Sequence, residues 1–280
     1  RSTSHIEEAV KPSERRSVDL IGLLLLIVAV GAIALAIVES GESNWPMQQI
    51  VSVGIAGLVV GACFVFWAQI RTNALIDLSL FHHRTYRYVN AATLVFGTAF
   101  SMMFLGFFFF MIGIWHYSLP IAGLAVTPGP LLVMPTAIVT GKLASRFGHQ
   151  RFLVGGSLLY ALSSLWFLTV PGNEPNYLQH WLPGLLMSGI AVGLVLPSLS
   201  AAAVSRLPVA HYAVGSAVNQ ATRQIGSVLG VAITVALLGH VTLQRVDFNA
   251  LYLLHIGLAL LTGLLCLPVD TKPQLTKSQP

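Results

Sequence analysis

Residues 215–232 read GSAVNQATRQIGSVLGVA, and the rest of the chain is interpreted outward from this stretch. Gly215, Asn219, Arg223, Gly226 and Gly230 are spaced by 4, 4, 3 and 4 positions. On an α-helix, which turns 100° per residue, these five positions lie within an arc of about 80°. The three glycines let a neighbouring backbone approach closely. Because the residues that follow are apolar, the stretch predicts a close-packed membrane-spanning helix.

Arg223 stands on the same stripe as the glycines, at a depth where charge is costly. An arginine at the bilayer centre costs about 2.5–3.5 kcal/mol on insertion scales. The cost is smaller if the side chain faces a protein interior or a wet cavity, or if it extends to the nearer surface. The sequence leaves two interpretations open for Arg223, namely packing with extension to the surface, or a part in lining a solute pathway.

The composition indicates a membrane protein. Of 280 residues, 55% are hydrophobic and only 9% are charged, whereas a soluble domain carries about 25% charged residues. The net charge of +5 does not indicate nucleic acid binding, because the basic residues are scattered between apolar runs. Both cysteines lie inside apolar runs, so neither a disulfide framework nor a zinc site is indicated.

Eight apolar segments are long enough to cross a bilayer, which needs about 20 residues each. They cover residues 20–38, 48–69, 89–112, 120–141, 151–170, 181–203, 214–239 and 249–268. With the N-terminus on the cytoplasmic side, thirteen of the 15 Lys and Arg residues fall in inner segments, Arg245 falls in an outer loop and Arg223 within a span. This asymmetry is what the positive-inside rule expects, so both termini are predicted to be cytoplasmic.

The chain divides at a segment that is too polar to span and too apolar to be a free linker. This segment, residues 71–88, is predicted to lie as an amphipathic stretch in the headgroup region. His82 and His83 within it are interpreted as interfacial polar residues, not as a metal site. The predicted organisation is a cytoplasmic linker (1–18), a two-helix insert (19–70), the interfacial segment (71–88), a six-helix bundle (89–269) and a cytoplasmic tail (270–280).

The fourth span is irregular, because prolines fall in and beside it. Pro128, Pro130 and Pro135 each leave a carbonyl four residues earlier without its helical donor. Broken helix at membrane depth is tolerated where protein or water surrounds it. The stretch from Thr127 to Pro130 is therefore a candidate cavity wall or bending point. Gly189 and Gly193, like Gly57 and Gly61, have the small-xxx-small spacing of close helix packing.

Motifs for enzymatic chemistry are missing from the sequence. It contains no G-x-x-x-x-G-K-[ST], no H-E-x-x-H and no G-x-S-x-G, so we expect neither an enzyme nor a cofactor. No Asp or Glu lies inside a span, although proton relays usually need a buried carboxylate or histidine. If the protein is proton-driven, its principal carboxylate is expected outside these residues. His240 and His255 are the ionisable alternatives, although hydrogen-bonded or interfacial roles suit both better.

The loop GKLASRFGHQR at residues 141–151, called the signature loop below, joins the fourth and fifth spans. It resembles the cytoplasmic loop motif G-x-x-x-D-R-x-G-[RK]-[RK] of the major facilitator superfamily. The residues that carry this resemblance are Gly141, Arg146, Gly148 and Arg151. Ser145 stands where the motif has Asp, so a charge contact made by that carboxylate is not expected here.

Three further features resemble the fourteen-span drug:proton antiporters of that superfamily. They are the two-span insert with Glu39 and Trp45 in its outer loop, the segment NALIDLSLF at residues 73–81, and the pattern that runs from Gly215 to Gly230. The match corresponds to spans seven to fourteen and implies that an N-terminal six-span half is missing. The resemblance implies a cavity between two six-helix bundles in the bacterial inner membrane, alternating access, and export of amphipathic or cationic compounds in exchange for protons.

The resemblance also suggests roles for individual residues. Candidates for substrate or gating contacts are Asn219, Arg223, Gln224 and Thr127. Residues 146–151 are the candidate for a conformational latch. Two other functions stay open. One is export of a lipid or a biosynthetic metabolite on the same scaffold, and the other is a non-transporting membrane scaffold in which the glycine faces serve assembly.

Overall fold

A computed structural model describes residues 19–41, 45–71, 76, 78–239 and 242–271. Within these residues the chain is all-helical, with eight helical segments long and apolar enough to cross a membrane. The α-helices are α1 (Leu20–Gly41), α2 (Met47–Ile70), α3 (Arg84–Gly113), α4 (Leu119–Val126), α5 (Pro128–Phe147), α6 (Gln150–Thr169), α7 (Leu182–Val204), α8 (Tyr212–Leu238) and α9 (Phe248–Cys266). The predicted fold class and the number of spans are confirmed. Predictions made for residues 1–18, 272–280 and His240 lie outside the described residues.

The third span begins earlier than the apolar pattern predicts. Leu78–His82 form a 3-10 turn, and α3 then starts at Arg84, so the last part of the predicted interfacial segment is the first turn of a membrane helix. Tyr86 is buried in this turn, where its hydroxyl donates to the carbonyl of Gly215 at 3.1 Å. Tertiary packing therefore extends the helix beyond the run of apolar residues.

The fourth span is two helices joined at Thr127, as the prolines suggest. The Thr127 N–H reaches the carbonyls of both Gly123 and Leu124 at 3.2 Å, and the Thr127 hydroxyl donates to Gly123 at 2.8 Å. Pro128 has no N–H to offer Leu124, so these bonds satisfy a carbonyl that the proline leaves open. The break is thus stable at membrane depth because its polar backbone groups have partners.

The α3 helix is the centre of the bundle. It packs against α8 on one side and α9 on another, and it also contacts α7. The remaining close pairs are α5 with α7, α6 with α7, and α6 with α9. The α1–α2 hairpin joins the bundle mainly through contacts between α1 and α8.

Opposite the signature-loop end, an aromatic cluster fills the space between α3, α6 and α9. The Trp181 ring lies within 5.3 Å, centroid to centroid, of Phe107, Phe110, Trp115 and Phe167. Edge-to-face and tilted contacts of this kind each add about 0.5–1.5 kcal/mol beyond area burial. The cluster therefore stabilises this end of the bundle.

Arg245 ties α9 to the end of α6 beside this cluster. Its Nε donates to the carbonyl of Pro171 at 2.7 Å, and its Nη2 donates to the carbonyls of Phe167 and Leu168. Its Nη1 donates to Asn249 Oδ1 at 3.0 Å. Helix-end carbonyls have no partner within their own helix, and a guanidinium with five donors can satisfy several of them at once.

Candidate functional site

The glycines of α8 lie against the backbone of α3. A Cβ at Gly226 would be 2.3 Å from the carbonyl oxygen of Leu94, and one at Gly230 would be 2.3 Å from that of Thr98. No side chain fits at these distances without displacing a helix. The two glycines thus belong to the helix–helix contact, away from open space.

Asn219 and Gly215 contact the same helix through hydrogen bonds. The buried amide of Asn219, 4% exposed, donates to Thr93 Oγ1 at 2.9 Å and to Asn90 Oδ1 at 3.2 Å. Gly215 accepts from the Tyr86 hydroxyl on α3. Asn219 was predicted as a substrate or gating contact, and the structure places its amide inside the α3–α8 packing.

Arg223 and Gln224 are more exposed than the glycines and Asn219 of α8. The guanidinium of Arg223 is partly exposed and donates to Gln220 Oε1, one turn earlier, at 2.5 Å, and Gln224 is exposed. The backbone of Arg223 packs on α3, where a Cβ at Gly97 would lie 2.7 Å from the Arg223 carbonyl oxygen. The stripe seen in the sequence therefore splits, with its small residues packed inward and its charge on an accessible face.

A cavity of about 260 Å³ lies between α3, the α4–α5 break, α6 and α7. Its walls are mainly aromatic and aliphatic. They are formed by Phe100, Met103, Phe104, Phe107, Val126, Gly129, Pro130, Val133, Tyr160, Leu185, Ser188, Gly189, Val192 and Leu196. No Asp, Glu, Lys, Arg or His is among these lining residues. The cavity is thus suited to an apolar or aromatic group.

The two polar side chains of the cavity wall offer little to a charged ligand. Ser188 Oγ donates to the carbonyl of Leu185 at 2.7 Å, so its proton is already used. Tyr160, 1% exposed, contributes a ring that packs on Phe96 with centroids 5.2 Å apart. The chemistry available here is burial of apolar surface and aromatic contact.

Thr127 is a neighbour of this cavity and does not line it. The adjoining Val126 and Gly129 are lining residues, and the Thr127 hydroxyl is used by the carbonyl of Gly123. Close packing of α5 on α7 supports the same wall, because a Cβ at Gly189 would lie 2.4 Å from the carbonyl oxygen of Gly129. Thr127 is thus next to the cavity wall in the chain without contributing to its lining.

Apart from Gly129 and Pro130, which belong to the predicted wall, the lining residues were not predicted from the sequence. A signal was present in α3, where Phe100, Met103, Phe104 and Phe107 follow each other by 3, 1 and 3 positions. That spacing predicts one helix face. A helix face of large side chains is equally typical of a packed hydrophobic core. The pattern alone therefore did not show whether this face lines a cavity or packs in the core.

At the signature-loop end, the chain after α9 is tied to the turn between α5 and α6. Gly148 has φ +82°, a backbone conformation that favours glycine. The next residue, His149, donates its N–H to Thr271 Oγ1 at 2.7 Å, and Gln150 Nε2 donates to the carbonyl of Leu267. This turn is therefore held by residues 267–271.

The other signature-loop residues point outward. Gly141, Ser145, Arg146 and Arg151 are all exposed. The Ser145 hydroxyl is used locally, donating to the carbonyl of Lys142 at 2.7 Å.

An ion pair is found at this end of the bundle, but outside the signature loop. Arg206, after α7, binds Asp270 at 3.0 Å. A charge contact between helix ends thus exists here without an acidic residue in the signature loop.

Four of the described histidines, His149, His180, His211 and His255, are partly or fully buried. Burial lowers the pKa of His149, whose Nδ1 is buried without a hydrogen-bond partner. His255, on α9, contacts Ser164 Oγ through Nδ1. Among the described residues, no group of three His, Cys, Asp or Glu side chains is arranged to hold a metal ion.

Comparison with known proteins places these features in a family. The sequence model of the Major Facilitator Superfamily matches residues 91–280. The multidrug resistance protein Stp of Mycobacterium tuberculosis is 28% identical over 82% of this chain and 42% of its own length. The multidrug export protein EmrB of Escherichia coli is 24% identical over 80% of this chain and 44% of its own length.

The name of a third relative refers to transport of a single compound. The probable actinorhodin transporter of Streptomyces coelicolor is 30% identical over 86% of this chain and 43% of its own length. The chain therefore spans less than half the length of each of these three relatives.

Proposed function

Since the chain belongs to the major facilitator superfamily, we propose that it is the C-terminal part, spans seven to fourteen, of a proton-coupled multidrug efflux transporter. The observation that carries this proposal is the 260 Å³ cavity, whose lining is apolar and aromatic. Such a lining binds compounds through their apolar surface and discriminates weakly among their polar groups. The relatives Stp and EmrB, whose names refer to multidrug resistance and multidrug export, support the same function.

In this proposal a second six-helix half, outside these residues, completes the transport pathway. The three relatives are more than twice as long as the segment matched here. The exposed face of α8 with Arg223 and Gln224 is a candidate contact for substrate or for gating against that half. The cost of a charge at this depth supports a polar or wet surrounding for Arg223.

The signature-loop end acts as a conformational latch in this scheme. The contacts of His149 and Gln150 with residues 267–271, and the ion pair of Arg206 with Asp270, hold the ends of four helices together. Rocking of a bundle during alternating access requires that its helices move as one unit. The proposed orientation places this end and both termini in the cytoplasm, with the bundle in a bacterial inner membrane.

Protons are proposed as the coupling ion, with the coupling carboxylate in the half outside these residues. The described spans contain no Asp or Glu in their interiors. His255 is buried between α6 and α9, which suits a structural role better than repeated protonation.

One observation favours a second candidate, export of a biosynthetic metabolite. The relative with the highest identity of the three above, at 30%, is a probable actinorhodin transporter. An apolar cavity accepts a polycyclic product as readily as a drug, so the scaffold alone does not separate the two substrates.

Transport in inside-out membrane vesicles tests the proposal. The full-length protein that contains this chain is expected to move rhodamine 6G when a proton gradient is imposed and to stop when an uncoupler collapses it. The 280-residue chain alone is expected to give no transport, because one wall of the pathway is absent. Movement of the dye that is independent of the gradient would contradict proton coupling, and no movement by the full-length protein would contradict drug efflux.

A further inference from the structure

Behind the cavity, three buried residues from α6 and α9 form one contact group. Tyr160 and His255 are each 1% exposed, and their rings meet edge to face with centroids 4.5 Å apart. His255 Nδ1 is hydrogen-bonded to Ser164 Oγ. Ser164 lies one turn after Tyr160 on α6 and donates to the Tyr160 carbonyl at 3.3 Å. The ring that lines the cavity is thus held from behind by an imidazole whose own orientation is fixed.

Two neighbours bear on the orientation of this imidazole. Its Nδ1 is hydrogen-bonded to Ser164 Oγ, and the backbone of Ala99 on α3 also hydrogen-bonds to the ring. The neighbouring Tyr160 is the group through which such an arrangement can affect the cavity, because Tyr160 is a lining residue and His255 is not.

We infer that His255 is a positioning residue for aromatic substrates, since it fixes the ring of Tyr160 in the cavity wall. The inference rests on the proposed function, because it assigns the cavity to substrate binding. Tyr160 lines the cavity from α6, and Phe100, Phe104 and Phe107 line it from α3. A flat aromatic group bound between them depends on the tilt of the Tyr160 ring, which its contact with the His255 ring sets.

The ring of His255, and not its hydrogen bond, is the part that acts on Tyr160. His255→Asn keeps an amide able to bond Ser164 and removes the aromatic edge, while His255→Phe keeps the edge and removes the bond. We expect His255→Asn to weaken binding of rhodamine 6G about 3- to 10-fold, the size of one aromatic pair contact. His255→Phe is expected to bind the dye within about 2-fold of the unsubstituted protein.

A double-mutant cycle tests whether His255 acts through Tyr160. Dissociation constants of rhodamine 6G are measured by fluorescence anisotropy on the full-length protein in nanodiscs. If the inference holds, adding His255→Asn to Tyr160→Ala produces no further loss, because the ring to be positioned is already gone. Multiplicative losses in the double variant, or an unchanged dissociation constant in His255→Asn, would overturn it.

A matched control separates positioning from general destabilisation. Ser157 is a buried serine on α6, and it donates to the carbonyl of Leu153 at 2.8 Å and does not line the cavity. Ser157→Ala is expected to leave dye binding unchanged. His255→Phe is expected to leave Tm unchanged. A loss of binding in every variant in proportion to its loss of Tm would show a structural role only and overturn the inference.

The binding measurements distinguish a failure of this inference from a failure of the proposed function. If the unsubstituted protein shows no saturable binding of rhodamine 6G, the proposed function fails and the inference fails with it. If the dye binds and is blocked by a bulky residue at Val133, while His255→Asn has no effect, the inference alone fails.

Discussion

The Cα of Gly226 packs so closely on Leu94 that a Cβ at Gly226 would lie 2.3 Å from the Leu94 carbonyl oxygen. The contact between α3 and α8 is therefore made by backbone, and the neighbouring Asn219 bonds lie in the same contact. Lipid provides no hydrophobic force between helices, so close backbone packing and interhelical hydrogen bonds must hold them together. The position of α8 relative to the cavity-lining α3 depends on this contact.

Gly226→Ala tests this contact. The methyl group must displace α3 or α8, and overpacking of this kind typically costs about 1–3 kcal/mol. Gly155→Ala is the matched control, because no atom lies within 4 Å of its added Cβ. The control is expected to be neutral or to stabilise by up to about 1 kcal/mol through helix propensity. Equal effects of the two changes on thermal unfolding in detergent would contradict the packing described here.

Arg245→Lys is expected to destabilise the bundle although it keeps the charge. Lysine offers a point charge on a flexible stem, whereas the guanidinium donates at once to three carbonyls and to Asn249. We expect a loss of roughly 2–3 kcal/mol, about that of charged hydrogen bonds to helix ends, measured by thermal unfolding. The exposed Lys142→Ala is the control. If Arg245→Lys were as stable as this control, the helix-end carbonyls would have to be hydrogen-bonded to water in place of the guanidinium.

Acidification is expected to weaken the signature-loop end through His149. Burial lowers the pKa of His149 from its ordinary value of 6.5, so below that pH the unfolded state binds more protons than the folded state. Stability is therefore full above pH 6.5 and falls as the pH drops toward the lowered pKa. Thermal unfolding at about pH 7.5 and about pH 5.5 measures the difference.

His149→Gln isolates this effect, because glutamine does not titrate. The variant is expected to lose the part of the pH dependence that His149 contributes, whereas the exposed His82→Gln is expected to keep it. The same pH dependence in both variants would assign the effect to another group.

Arg223→Gln is expected to lower transport by the full-length protein while leaving membrane insertion and Tm unchanged. The guanidinium is on the accessible side of α8, and its described partner is Gln220, so little packing is lost with it. Asn219→Leu is instead expected to lower the stability of the folded bundle by about 0.5–2 kcal/mol, because its interhelical hydrogen bonds are lost. Unchanged dye transport in Arg223→Gln would leave extension to the surface as the role of Arg223.

Much of the architecture was predictable from the sequence because the bilayer restricts the choices. A span of about 20 apolar residues must be helical, so all eight spans and the break at Thr127 followed from residue type. The start of α3 at Arg84 did not, because the buried hydroxyl of Tyr86 has its partner at Gly215, far along the chain. The difference in burial between Asn219 and Arg223 was equally unpredictable from the sequence. Both residues lie on one stripe of α8, and only the position of α3 decides which of them is covered.

Most of the cavity lining could not be predicted for a related reason. The cavity depends on how closely α5 packs on α7, where a Cβ at Gly189 would lie 2.4 Å from the Gly129 carbonyl oxygen, and helical periodicity does not encode contacts between helices. The aromatic residues that line it on α3 look the same in sequence as Phe110, which packs in the aromatic cluster and does not line the cavity.

Transport by Val133→Trp, compared with Met134→Trp, tests most directly whether the cavity is on the substrate pathway. Val133 lines the cavity, and the adjacent Met134 is 72% exposed on the same helix. We expect Val133→Trp to lower gradient-driven export of rhodamine 6G about tenfold or more, and Met134→Trp to transport at the unsubstituted rate. Equal transport by the two variants, with equal amounts of protein in the membrane, would contradict the account.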